Sequence, residues 1–173
     1  MKNIIKPLRS ASLFNTYSCA MKKSILLLFA AVIFLSCENI ETNATAMQAN
    51  LNTDFFRAYS VSGQANNTDQ MMTIVGVSDH EEFTLCTEWK GVSTYRIGGN
   101  EVNYATFTGA DNKQYTTESK GSSGMITITN EDQENQELTG EFNFTFVMAT
   151  DTITVSRGFF YAVPYEIIDI VAD

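Results

Sequence analysis

The only histidine, His80, stands in the run Ser78-Asp79-His80-Glu81-Glu82. An imidazole beside three carboxylates has the ligand types for a metal and the groups for acid/base catalysis. Neighbours on a turn point apart, and no second histidine can join, so the expectation here is a solvated hairpin turn. Residues 129–137, Thr-Asn-Glu-Asp-Gln-Glu-Asn-Gln-Glu, gather acids and amides that could hold calcium. Calcium takes about six to eight oxygens on a loop folded round a glycine. This segment has neither that glycine nor alternating ligands, and is expected to be a polar hairpin loop. Gly121-Ser122-Ser123-Gly124 offers two hydroxyls but not the Gly-x-Ser-x-Gly elbow of a serine hydrolase. A Ser-His-Asp triad would have to recruit His80. Paired carboxylates for hydrolysis would have to stand roughly 5–10 Å apart in a cleft, and none stands out as buried.

Trp89, Tyr95, Tyr104 and Tyr115 could line a sugar-binding face or an apolar cavity. Aromatic residues in strands more often fill the core or pair across strands, and that is the expectation for these four. Cys86 alternates with Phe83, Leu85 and Trp89, so it is expected on the opposite face of its strand, as a small hydrophobe in a second layer.

Chemistry of another kind attaches to Cys37. The apolar run Ile25–Leu35 is too short for a membrane-spanning helix, which needs about 20 residues, and has the length of a signal-peptide core. Met21, Lys22 and Lys23 precede it as a positively charged start. Residues 1–20 have no apolar core of their own and read as an upstream over-extension or a long leading region, residues 21–36 as the signal. Phe34-Leu35-Ser36-Cys37 resembles a bacterial lipobox, with Phe34 departing from the usual Leu or Val. The resemblance implies cleavage between Ser36 and Cys37 and a diacylglycerol on the Cys37 sulfur. Membrane attachment strengthens by about 0.8 kcal/mol per buried methylene, and two or more chains hold stably. The lipidated Cys and a polar spacer would occupy 37–46, followed by a domain at 47–165 and a tail or edge strand at 166–173.

The first 36 residues hold five of the eleven Lys and Arg and no Asp or Glu. The remainder carries six bases against twenty acids. Nucleic acid and anionic lipid headgroups are poor partners for such a mean charge. Beyond the signal region Cys86 is the only thiol, so neither an internal disulfide nor a four-ligand zinc site can form. No cofactor motif is present, and the core must hold the domain together.

Period-two alternation dominates the elements that would position these groups. In Leu138–Met148, Leu138, Phe142, Phe144, Phe146 and Met148 share one face, while Glu141, Asn143 and Thr145 take the other. Glu82–Lys90, Gly124–Thr129 and Asp151–Ser156 repeat the pattern. Weaker candidates are 47–51, 55–61, 71–77, 94–97, 102–108 and 114–117. Turn chemistry at 63–69, 78–81, 98–100, 109–113, 120–124 and 130–136 separates them. No window shows a helical period. The expectation is an all-β fold, an antiparallel β-sandwich or flattened barrel of about nine or ten short strands in a mostly meandering order.

The segments Gly91–Gly99, Tyr115–Thr129, Leu138–Phe146 and Thr152–Tyr165, with Met47–Val61 before them, resemble a family of small lipoprotein domains from Bacteroidota-type bacteria. In that family an aromatic residue and an alanine stand where Phe56 and Ala58 stand here. The family is a domain of unknown function, so the resemblance implies the anchor and the all-β fold and no activity. The functional expectation is a domain held in the cell envelope, at the outer membrane, by the lipid on Cys37. It would bind or display without catalysis, with an envelope protein or glycan as partner. A carrier of small apolar ligands with a barrel interior is the alternative, and a carboxylate-based hydrolase a distant one.

Overall fold

The computed structural model describes residues 44–149 and 151–169. The Ser36–Cys37 signal and lipidation site lies outside them. The described chain is all-β, with eleven strands and no helix: β1 (Ala46–Leu51), β2 (Asp54–Arg57), β3 (Ser60–Asn66), β4 (Met71–Val77), β5 (Glu82–Glu88), β6 (Ser93–Ile97), β7 (Tyr104–Thr108), β8 (Gln114–Thr116), β9 (Ser123–Asp132), β10 (Glu137–Val147) and β11 (Thr152–Ile168).

The strands follow one path, β6-β9-β10-β11-β3-β4-β5-β7-β8, curled into a half-barrel, with β1 and β2 branching from β11. The expected meander holds within β1–β2, β3–β4–β5, β7–β8 and β9–β10–β11. It breaks where β6 crosses to β9, β7 pairs with β5, β1 joins β11, and β3 pairs with β11 in parallel.

β11 makes the curl. Its residues 155–161 pair with β1, and its residues 165–168 pair with β3. Arg157 and Ala162 have φ of 51° and 46°, the left-handed conformation of bulge residues, and the registers with β1 and β10 shift beside them. The ends of the path meet through Asn103, which accepts from Glu88 N and donates to Arg96 O, and through Thr117 O, which accepts from Gly99 N.

Several boundaries differ from the sequence expectation: β9 runs to Asp132, into the expected 130–136 turn, and β11 continues to Ile168, well past the expected 151–156. The stretch 55–61 is two strands, because Ala58 N donates to Met47 O while Tyr59 N donates to Val77 O. The chain changes partner between these residues and gains a strand. Residues 63–66 are not turn but the end of β3, paired with β4 on one side and β11 on the other. The backbone bonds of that ladder outweigh the turn preference of Gly63, Asn66 and their neighbours.

Alternation places Phe142, Phe144 and Phe146 inward from β10, where they meet Phe83 with centroids 5.9–6.4 Å away. Phe56 and Phe107 close on Phe83 from the other side, at 4.9 and 4.7 Å. Each such burial stabilises by about 1.5–3 kcal/mol. Two rings need glycines opposite them. Phe160 covers Gly140 and Phe142 covers Gly158, and a Cβ at either glycine would run into the ring.

Candidate functional site

The residues singled out in sequence do not converge. His80 and Asp79 are exposed at the β4–β5 hairpin, where Glu81 N donates to Ser78 Oγ and Ser78 N to Glu81 O. Asp132 turns back on its own loop, accepting from Glu134 N, Asn135 N and Asn135 Nδ2, and these bonds hold its carboxyl below the usual range. Ser122 is buried, and its Oγ accepts from Val147 N at 2.9 Å. No group of three or more His, Cys, Asp or Glu among the described residues is placed to hold a metal. The buried polar side chains among them are Thr87, Asn103, Thr117 and Ser122, with no carboxylate.

The four aromatics separate as well. Tyr95 and Tyr115 are buried in the core. Trp89 Nε1 and Tyr165 OH both donate to Glu131 Oε1, at 3.0 and 3.2 Å, which ties the end of β5 to β9 and β11. Burial, with Glu131 beside it, pushes the Tyr165 phenol up to about 12. Tyr104 lies against Cys86 on the outer side of β5 and β7, where the thiol holds the phenol above its ordinary value. Cys86 is therefore on the opposite face from Phe83 and Leu85, and is buried. An open groove of about 480 Å³ runs past it, between Thr73, Tyr104, Gln64 and Ile168. A second ion cluster stands at the far edge, where Asp151 Oδ2 accepts from Lys113 Nζ (2.9 Å) and Tyr115 OH (3.1 Å). These two donors hold the Asp151 carboxyl low.

A different set of aromatic residues does share one face. Cross-strand partners in an antiparallel pair point the same way. Gln48 of β1 lies between Phe159 of β11 and Arg57 of β2, and Asn50 lies between Ser156 and Phe55. Ala46 pairs with Tyr161, and Tyr59 stands exposed at the bend that follows β2. Phe55 on one side and Phe159 and Tyr161 on the other thus flank a floor of Ala46, Gln48 and Asn50. Phe55, Tyr59 and Tyr161 are 58%, 70% and 42% exposed.

Arg57 is exposed on this face, and Arg157 is exposed in the bulge between Ser156 and Phe159. Neither guanidinium is in an ion pair with a described residue. Glu141, opposite Phe159, is the neighbouring acid on β10. Sequence reasoning missed this set, although a signal was present. Phe55-Phe56 and Phe159-Phe160-Tyr161 are aromatic runs inside strands, and adjacent strand residues point to opposite faces. Each run must leave a ring outside.

Residues 43–164 match the family model described as a domain of unknown function (DUF6252). No curated protein and no solved structure matches the chain significantly.

Proposed function

The chain belongs to this family, the DUF6252 domain of unknown function, whose model spans most of its length, and from that premise we propose that it is a lipid-anchored module of the cell envelope that binds or displays through its outer surface. In this reading Cys37 carries the lipid, the polar residues that follow it form the tether, and the curled sheet is a rigid body held at the outer membrane. The supporting observation is the division of the aromatic residues. The interior is occupied by Phe56, Phe83, Phe107, Phe142, Phe144 and Phe146 packed ring on ring, whereas Phe55, Tyr59 and Tyr161 face outward.

The side chains that could do chemistry point the same way. Ser122 and Asp132 are engaged by backbone N–H groups, and His80 stands singly at a hairpin. An apolar-ligand carrier would need those core rings to part.

The anchor is tested by metabolic labelling with a fatty acid in a host that processes lipoproteins. Wild type is expected to take the label and sediment with membranes. Cys37→Ala is expected to lose the label and be released. A Cys37→Ala chain that stays labelled and membrane-bound overturns the reading. Binding is tested by retention of envelope glycans and proteins on the immobilised chain, and retention of none counts against a binding role.

A further inference from the structure

The geometry points to the outer face of β1, β2 and β11 as a membrane-docking surface, which seats the domain on the phospholipid headgroups with Phe55, Tyr59, Phe159 and Tyr161 in the interface and Arg57 and Arg157 against lipid phosphates. This rests on the anchor reading above.

Three observations carry it. The first is position. Ala46 belongs to the face itself, beside Tyr161, and is nine residues from Cys37. Nine extended residues reach at most about 30 Å. A flexible chain of that length averages about 17 Å end to end. The chain therefore enters the described domain at this face, within about 30 Å of the lipid along the tether.

The second observation is chemistry. Tyr and Phe combine apolar rings with, for Tyr, a polar tip, and such rings are favoured at the headgroup level. The rings here project over a half-buried floor of Gln48 and Asn50, whose amides make no hydrogen bond with a described residue.

The third is charge. The part of the chain after residue 36 has six bases against twenty acids, yet two of its three arginines, Arg57 and Arg157, stand on this one face with no ion pair to a described residue. Guanidinium is suited to phosphate recognition. Screening confines each charge to about 8 Å at physiological salt, so the local pair and not the mean charge meets the headgroups. Of the acids, Glu141 borders this face opposite Phe159, and the two arginines oppose it there.

The test uses the lipidated full chain in vesicles of phosphatidylethanolamine with a minor share of phosphatidylglycerol. A polarity-sensitive fluorophore is attached at Tyr161→Cys and, separately, at Glu101→Cys in the exposed β6–β7 loop; Cys86 is buried and does not compete. The expected result is blue-shifted emission and quenching by spin-labelled lipid at 161, and neither at 101. Arg57→Glu with Arg157→Glu is expected to remove the shift at 161 without releasing the chain from vesicles or lowering its denaturation midpoint.

Equal solvent exposure at both positions in a vesicle-retained chain overturns docking and leaves the anchor standing. Failure of the lipidated chain to be retained overturns the anchor and the proposal with it. Shielding at 161 without vesicles assigns the face to a second copy of the chain, and shielding only on adding a soluble polysaccharide assigns it to a glycan. Either result overturns the membrane assignment.

Discussion

Phe55 and Phe56 are neighbours in β2, yet Phe56 is fully buried and Phe55 is 58% exposed. The same contrast recurs in β11, where Phe160 is fully buried between Phe159 and the 42% exposed Tyr161. The inner rings are locked. Phe56 meets Phe83 and Phe107 edge to face, and Phe160 lies over Gly140, where no side chain interferes. The outer rings flank small and amide residues of β1 and meet water. Folding explains the inner set, since hydrophobic burial drives it. It does not explain the outer set, because exposed apolar surface favours association more than stability. The two faces of one ribbon thus separate what holds the molecule together from what it can offer to a partner.

The comparison breaks first at the inner face. Phe56→Ala is expected to cost about 3–5 kcal/mol, the range for truncating a buried phenylalanine. Urea denaturation followed by far-ultraviolet circular dichroism measures it. A loss near zero would mean that the ring is dispensable and the inner set no more structural than the outer. Gly158→Ala comes next. The added methyl would meet the Phe142 ring and the Phe142 carbonyl. Overpacking of this kind costs about 1–3 kcal/mol, read from the same denaturation curves.

Much of the inner face was legible in sequence. Alternation in 138–148 and 82–90 identified Phe142, Phe144, Phe146, Phe83 and Leu85 as core, and all are buried. The all-β class followed from the same period. The strand order did not, because pairing of β3 with β11 and of β6 with β9 depends on contacts far apart in the chain. A local pattern holds no record of such partners. The partner change at Ala58 and Tyr59 was hidden for the same reason, since Met47 and Val77, which the two residues bond, lie far apart in the chain. The outer face is a juxtaposition of residues 46–59 with 156–161, and its members become neighbours only once β1 is laid between β2 and β11.

Tyr165 of β11 is buried in the core, with its hydroxyl donating to Glu131. Tyr165→Phe removes that bond and is expected to cost about 1 kcal/mol at neutral pH. Its pH dependence sharpens the assignment. The folded phenol titrates at about 12, above its ordinary 10.0. A raised value means that its contribution to stability is complete below pH 10 and is lost as pH rises towards 12. Denaturation midpoints measured across that window should fall more steeply for wild type than for Tyr165→Phe. Equal slopes would place the phenol in water in the folded state.

The smallest effects belong to the outer face. Arg157 holds φ at 51°, a conformation that glycine adopts without strain. Arg157→Gly is therefore expected to gain up to about 1 kcal/mol, since relief of strain is partly offset by the freer unfolded chain. Phe55→Ala is expected to stay within about 0.5 kcal/mol of wild type, as exposed substitutions do. The two results bear on one question. A position strained in favour of arginine, and a ring that leaves stability unchanged when removed, would both be features that folding alone does not select. A loss of several kcal/mol on truncating Phe55 would show instead that the ring packs on the β1 surface, and the outer set would then join the core as part of what holds the sheet together.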